Sequence, residues 1–489
     1  MNLKTVCMAG CLSGLLIVAP ACKQDAVAQK PVLQEPAVQE PVVDESVKIV
    51  AAEDLWTRKV GEDWPSFLGP RGDGTSSEKG IQPDLWSPLP KIVYTIDLKT
   101  SYGGPTLVKG RLLQFDRVNN KERLTCYRAE TAEELWHWEQ SVAYDDMYGY
   151  NNGPRCSPVV DGDLVYCYGV AGNLSCVTLA DGKLVWTHDL VREFGVIQNF
   201  FGVASTPKIE GDRLLVMVGG SPKESQFLPP GRLDMVKPNG TAILALDKRT
   251  GRELYRVGDD LASYSSPMTC ELNGRKVGLA FLRSGLLGWD AADGKELFRF
   301  EHRARMLESV NASQPIVHDN QVFVSETYQI GSVMLQPKVD QQGKWSVETV
   351  WKDGDSRSTQ AFRAHWSTPA LIDGYLYGCS GRNQPDSDFR CIRWSDGKVM
   401  WTDRRHERSS VLHVDGYLIV LGEEGQLELL KPNPEKMERI KAVDLSRIQD
   451  KSDNLSLIES PAWAAPVISH GLLFIRGNTK LICLDLIPQ

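Results

Sequence analysis

Cys156-Ser157-Pro158-Val159-Val160-Asp161-Gly162-Asp163-Leu164-Val165-Tyr166 continues through Gly172 to Leu174-Ser175-Cys176-Val177 and on to Ala180-Asp181-Gly182-Lys183-Leu184-Val185-Trp186. The order is a small residue, Pro, an apolar run, an Asp-Gly turn, a strand, a Gly turn, a second strand, and a closing Gly turn ending on an aromatic residue. Gly supplies the positive φ of a tight hairpin, and short apolar runs between such turns read as β-strands. Equivalent starts lie at Pro105, Pro158, Pro207, Pro267, Pro315, Pro369, Val411 and Pro466. Closing turns run from Gly182 to Trp186, Gly251 to Tyr255, Gly294 to Phe298 and Gly397 to Trp401, with Trp136 and Trp351 in the same role where the Gly is missing.

Steps of roughly 45 to 60 residues suit four strands per unit, and radial stacking of such sheets protects their edges. The expected fold is all-β, an eight-bladed β-propeller. The last unit, from Pro466 to Ile487, has only three strands. Lys91-Ile92-Val93-Tyr94-Thr95-Ile96-Asp97-Leu98 has the alternation of an outer strand and precedes the first unit, so the ring is expected to close through this N-terminal strand and leave no long edge. The aromatic residue ending each unit is expected to pack between adjacent blades.

Upstream, Met1-Asn2-Leu3-Lys4 leads into a mostly apolar run to Pro20 and then Ala21-Cys22. The pattern predicts a signal peptide over 1–21, too short for a spanning helix. Cys22 is the expected lipidation site, in a context similar to the bacterial lipobox with Ala19 for the usual Leu; the alternative is release by a peptidase that reads Ala-x-Ala. From Lys23 to Lys48 the chain is rich in Pro, Val, Gln and Glu and has no aromatic residue. Residues 22–60 are read as a lipidated, disordered tether, and 61–489 as one propeller domain.

The chain has 489 residues, 42% of them hydrophobic, and a net charge of −8. Its Lys and Arg are scattered, which argues against nucleic acid as a partner. Cys167 with Cys176, and Cys379 with Cys391, flank turns; each pair reads as a cross-strand bridge or as two small buried thiols. No Cys-x-x-Cys, Gly-x-Ser-x-Gly, His-Glu-x-x-His, phosphate loop or dinucleotide fingerprint occurs.

These repeats, from Trp64 to Leu486, resemble the pyrroloquinoline-quinone-like (PQQ-like) propeller superfamily. Trp64-Pro65-Ser66-Phe67-Leu68-Gly69-Pro70-Arg71-Gly72-Asp73-Gly74 is similar to the opening motif of envelope propellers of planctomycetes and acidobacteria, with Leu68 where Arg is usual. The superfamily holds quinoprotein alcohol dehydrogenases and also non-catalytic lipoproteins, among them the propeller subunit of the outer-membrane β-barrel assembly machinery. Membership of the enzymatic branch would imply a quinone on the axis between a Trp floor and a disulfide of adjacent cysteines, with Ca²⁺ on a Glu and an Asn and an Asp as base. This chain has neither adjacent cysteines nor a Cys-x-x-Cys-His haem motif.

With the first strand of each unit innermost, residues just before each Pro face the axis. The candidates are Tyr150, Asn152 and Arg155; Asn199; Tyr264 and Ser266; Glu308, Asn311 and Ser313; Arg363, His365 and Trp366; His413; and Glu459 and Trp463. They include a Trp floor (Trp366 or Trp463) and a Glu308/Asn311 pair for a cation; the alternative is a polar, water-filled axis. Two long loops, Gln140 to Pro154 and Gly219 to Gly240, are where a protein or glycan partner is expected.

The expected function is a non-catalytic binding scaffold, exported and lipid-anchored on the periplasmic face of the outer membrane or free in the periplasm. It is expected to be monomeric, to touch the membrane only through its anchor, and to need no cofactor. The alternatives are a PQQ- and Ca²⁺-dependent dehydrogenase of alcohols or sugars, and a carbohydrate-binding propeller.

Overall fold

The computed structural model describes residues 41–404 and 406–489. The expected signal peptide, Cys22 and the first half of the tether lie outside the described residues. The rest folds into eight antiparallel sheets that form the blades of a propeller. Blades 1 to 8 begin with the strands at Thr106, Val159, Lys208, Met268, Ile316, Ala370, Ser409 and Val467.

Blade 2 shows why this sequence makes a blade. Its strands are Val159–Asp161, Leu164–Tyr168, Asn173–Thr178 and Leu184–Asp189, running from the axis outward. Successive side chains of a strand point to opposite faces of the sheet. Val165, Cys167 and Val177 accordingly pack with Leu113, Phe115 and Leu124 of blade 1, whereas Tyr166, Tyr168, Leu174 and Cys176 pack with Leu214, Val216 and Leu244 of blade 3. Both faces are buried, so the middle strands read as continuous apolar runs. The same geometry answers the cysteine question: Cys167 pairs with Ser175 and Cys176 with Tyr166, so the two thiols face different blades. Cys379 lies opposite Phe389 and Cys391 opposite Tyr377, a diagonal spacing too wide for a disulfide. All eight described cysteines are free.

Every blade carries a register shift between its third and outermost strands. A bulge there adds twist and re-aims the residue beside it. That residue is generally the unit's terminal aromatic, and it latches onto the next blade. The indole N–H of Trp136, Trp186, Trp351 and Trp401 donates to the carbonyl of Leu179, Lys248, Trp394 and Asn433 respectively, at 2.8–3.2 Å. The Tyr255 hydroxyl donates to Ala291 in the same way at 2.9 Å. The closing-turn Gly of the next unit completes the latches of Trp136, Trp186, Tyr255 and Trp351. A Cβ on Gly182, Gly251, Gly294 or Gly397 would sit 2.4–2.9 Å from the ring of Trp136, Trp186, Tyr255 or Trp351.

The ring closes as the strand count requires. Lys91–Asp97 pairs antiparallel with Lys480–Asp485, the last strand of blade 8. Tyr94 then acts as that blade's terminal aromatic, its hydroxyl donating to the Ala129 carbonyl of blade 1 at 2.5 Å.

Residues 41–60, assigned to the tether by composition, are instead strapped along the blades. Val42–Val43 adds to the outer strand of blade 2, the Ala52 N–H donates to Asp163 at 2.9 Å, Trp56 stacks on His470 at 4.2 Å, and Arg58 pairs with Asp485 at 2.7 Å. The stretch to Lys48 looks low in complexity, yet from Ala51 onward it offers Trp56 and Arg58 to neighbours far away in sequence, which composition cannot reveal.

Candidate functional site: the axial chamber

The segment from Trp64 to Ser76 crosses the axis and forms the floor of a chamber of about 480 Å³. Trp64 exchanges backbone hydrogen bonds with Leu107 of blade 1, the Pro65 carbonyl accepts from Val160 of blade 2, and the Gly72 carbonyl accepts from the Gln314 side chain before blade 5. The Gly74 carbonyl accepts from His413 of blade 7, beside which Thr75–Ser76 runs parallel. Leu68 and Gly69 both have positive φ, 59° and 79°, and a Cβ on Gly69 would lie 2.8 Å from the Trp64 ring, so this turn needs glycine. Trp64, Phe67 and Leu68 face the chamber.

The wall follows one register position. Three residues before each unit's Pro, or before Val411 in unit seven, the chain turns one side chain inward: Tyr102, Arg155, Ala204, Tyr264, Ala312, Trp366, Arg408 and Trp463. Repeats of equal geometry place equal positions on the axis. One residue before the Pro, the polar side chains instead tie neighbouring blades together. Thr206 Oγ1 accepts from the Ser157 N–H at 3.2 Å, Ser266 Oγ from Thr206 at 3.0 Å, and Thr368 Oγ1 from Gln314 at 3.0 Å.

Toward the mouth the wall is an arc of rings. Tyr264, Phe201, Tyr150, Trp463, Trp366, His365 and Tyr328 follow one another with centroid separations of 5.5–6.4 Å. Guanidinium groups lie over them: Arg408 is 4.8 Å from the Trp366 centroid and 5.4 Å from that of Trp463, and Arg382 is 4.7 Å from that of Tyr328. Arg408 is fixed from behind by Glu423, with its Nε 2.9 Å from one carboxylate oxygen, and by the Arg382 carbonyl. Arg155 pairs with Asp146 and also donates to the carbonyls of Asn151 and Gly153. Among the described residues Arg382 has no carboxylate partner, and no Asp or Glu lines the chamber.

Seven of the residues singled out from sequence thus meet here: Tyr150, Arg155, Tyr264, Ser266, His365, Trp366 and Trp463. The others do not. Asn152 ties the long loop, accepting from the Asp146 N–H at 2.7 Å and donating to Asp145. Asn199 donates to the Ala262 carbonyl and lines a separate small cleft. Arg363 is buried against Asp386 at 2.7 Å, and His413 lies by the floor segment. Glu308 is exposed, while the Asn311 amide is buried and donates to the carbonyls of Leu282 and His302, so they form no cation pair. Sequence reasoning missed Tyr102, Arg408 and Arg382. The first two occupy the same register position as Arg155 and were findable; Arg382 arrives from a turn in blade 6 that carries no repeat signal.

The residues present do not fit a calcium-held quinone. The implied Glu/Asn pair is not assembled, the floor is Trp64 with Phe67 and Leu68, and the chain lacks adjacent cysteines. Among the described residues no group of three or more His, Cys, Asp or Glu is placed to hold a metal ion, and no helix is long and apolar enough to cross a membrane.

His365 gives the chamber a measurable signature. Burial, then the charges of Arg408 and Arg382, push its imidazole down to about 3. An unfolded histidine takes up a proton near pH 6.5, so between pH 6.5 and about 3 the unfolded chain holds more protons and stability falls with pH. The expected contribution is a loss of up to about 2 kcal/mol between pH 7 and 5. Urea unfolding at the two pH values should show this loss in the wild type, and His365→Gln should remove that part of it. An unchanged pH dependence in the variant contradicts a buried neutral imidazole.

Comparison with known proteins places this architecture. The family model described as outer membrane protein assembly factor BamB matches residues 43–238, 120–403 and 243–445. Among solved structures, BamB from Moraxella catarrhalis superposes with a TM-score of 0.51 at 12% identity, over 82% of this chain and 98% of that one. Quinohemoprotein alcohol dehydrogenase from Comamonas testosteroni gives 0.46 at 12% identity, over 86% and 80%. An uncharacterized protein of Rickettsia conorii is 21% identical over 324 residues, 66% of this chain and 68% of its own length. At 12% identity the BamB superposition speaks for the fold alone.

Proposed function

Because this chain belongs to the PQQ-repeat propeller family described as outer membrane protein assembly factor BamB, we propose that it is an envelope scaffold: exported, anchored through a lipid on Cys22, and non-catalytic. The observation that carries this reading is the apolar surface around the chamber mouth. Met147, Tyr148 and Tyr150 of the first long loop are 41%, 48% and 60% exposed, and Met147 packs over Gly231 of the second. That second loop also holds Phe227, 90% exposed. Large exposed rings on one loop face are the composition of a contact surface.

The test is photo-crosslinking in the intact cell, with a crosslinking residue placed at Tyr148 or Tyr150 and, as control, at Val350 on the outer edge of blade 5. A defined envelope-protein adduct is expected from the first two positions and not from the third. Tyr148→Asp, which places a charge in the apolar patch, should cut adduct yield by at least about tenfold, since a truncated central aromatic contact costs roughly 2 kcal/mol. No adduct from either position, or Ca²⁺-dependent dye reduction by the protein supplied with PQQ, overturns the scaffold reading.

A further inference from the structure

The chamber is built to hold something besides water. Its wall carries three guanidinium groups and no carboxylate, and two of the three are already answered: Arg155 by Asp146 and Arg408 by Glu423. Arg382 alone is left with its donors free of any carboxylate among the described residues, its guanidinium carbon 4.7 Å from the Tyr328 ring centroid. Beside it, His365 has an Nδ1 with no hydrogen-bond partner, and its Nε2 lies 3.4 Å from the Tyr328 hydroxyl. A guanidinium fork next to two neutral groups that can each donate or accept is suited to one carboxylate flanked by hydroxyls.

The rings define the body that carries the carboxylate. Trp366 and Trp463 are inclined at 49°, and Trp463 and Tyr102 at 57°. No parallel pair offers a slot for a flat fused ring, whereas inclined faces match the axial and equatorial C–H bonds of a puckered ring. The floor formed by Trp64, Phe67 and Leu68 makes the chamber blind, so it admits the end of a chain rather than a strand passing through. A volume of about 480 Å³ lies within the range of small-molecule sites and has room for one or two sugar rings.

The geometry points to an acidic sugar, a uronate at the end of a glycan chain, as the ligand of the axial chamber, with Arg382 taking its carboxylate and the Trp366–Trp463 arc its ring. This rests on the reading of the protein as a binding propeller and gives that scaffold a glycan contact in addition to its protein face.

Calorimetry on the purified mature chain tests it, with galacturonate and glucuronate disaccharides as probes and the methyl ester of each as the neutral twin. Binding of at least one acid is expected, and roughly tenfold or more weaker binding of its ester, because a charge-assisted pair is worth more than a neutral one. Arg382→Met should weaken the acid roughly tenfold to a hundredfold and the ester little. Ala312→Trp fills the chamber from the segment before blade 5, beside the Trp366 wall, and should abolish both; Ala204→Trp, from the segment before blade 3, repeats that test if the first variant fails to fold. Equal affinity for acid and ester, full affinity in Arg382→Met, or no binding of any sugar at millimolar concentration overturns the proposal. So does binding of a peptide through its C-terminal carboxylate in place of the sugars. Crosslinking from Tyr148 is read in parallel: adducts that persist while no sugar binds sink the chamber ligand alone, and their loss sinks the scaffold itself.

Discussion

Trp186→Ala should cost about 3–5 kcal/mol of unfolding free energy, the range seen when a buried aromatic is truncated in a packed core. Trp186 is fully buried between blades 2 and 3, with Tyr166 at 6.0 Å and His188 at 5.7 Å between ring centroids. Its indole N–H donates to the Lys248 carbonyl, which would be left unpaired, and the backbone of Gly251 sits directly against its ring. The cavity cannot collapse easily, because Gly251 holds a φ of 73° and the strand that carries Trp186 is paired on both edges. Gly251→Val reaches a similar loss from the other partner, by strain and by a Cβ 2.9 Å from the ring. Trp401, the same latch in blade 6, is only partly buried, so Trp401→Ala should cost visibly less. Urea unfolding of the three variants measures the order, and a loss under about 1 kcal/mol for Trp186→Ala would contradict the latch as the main tie between blades.

That latch also marks how far the sequence could be read. The aromatic ending each unit is visible because it recurs at fixed distance from a Gly turn, and its packing between blades follows from size alone. Its partner is invisible from one unit: Gly182, Gly251 and Gly397 look like turn residues, and only the stacked blades show that each also seats the ring of the unit before. The chamber divides in the same way. Arg155, Tyr264, Trp366 and Trp463 share a register with Tyr102 and Arg408, and strict use of that single offset would have found the wall and set aside Asn152, Asn199 and Glu308. Those three sit on loops between units, where spacing carries no phase. The floor and Arg382 come from a crossing segment and an irregular turn, whose positions depend on tertiary contacts to blades far away in sequence.

A chain that starts at Leu98 should fail to give a stable monomer. It lacks Lys91–Asp97, so Lys480–Asp485 becomes an edge of unpaired N–H and C=O groups, the kind of edge that pairs with other molecules. It lacks the Tyr94 latch, the hydrogen bond from blade 8 to the Ala129 carbonyl of blade 1. It also loses Trp56, Trp64, Ile81, Trp86 and Ile96, all buried in the core cluster shared by blades 1, 7 and 8. Truncating even two such aromatics costs about 6–10 kcal/mol, which is comparable to the whole stability of a folded domain. Size-exclusion chromatography should therefore show aggregates or a partly folded species where the longer chain is expected to run as a compact monomer. Tyr94→Phe separates the contributions: it removes one hydrogen bond while keeping the strand and the ring, and should cost only about 1 kcal/mol. The decisive addition is a synthetic peptide of residues 86–99 supplied during refolding. If the missing strand is what closes the ring, the peptide restores part of the soluble, compact fraction, and a scrambled peptide of the same composition does not. A truncated chain that stays monomeric and unfolds at the wild-type urea midpoint would mean that the eight blades hold together without the N-terminal strand, and that closure is carried by the inter-blade core alone.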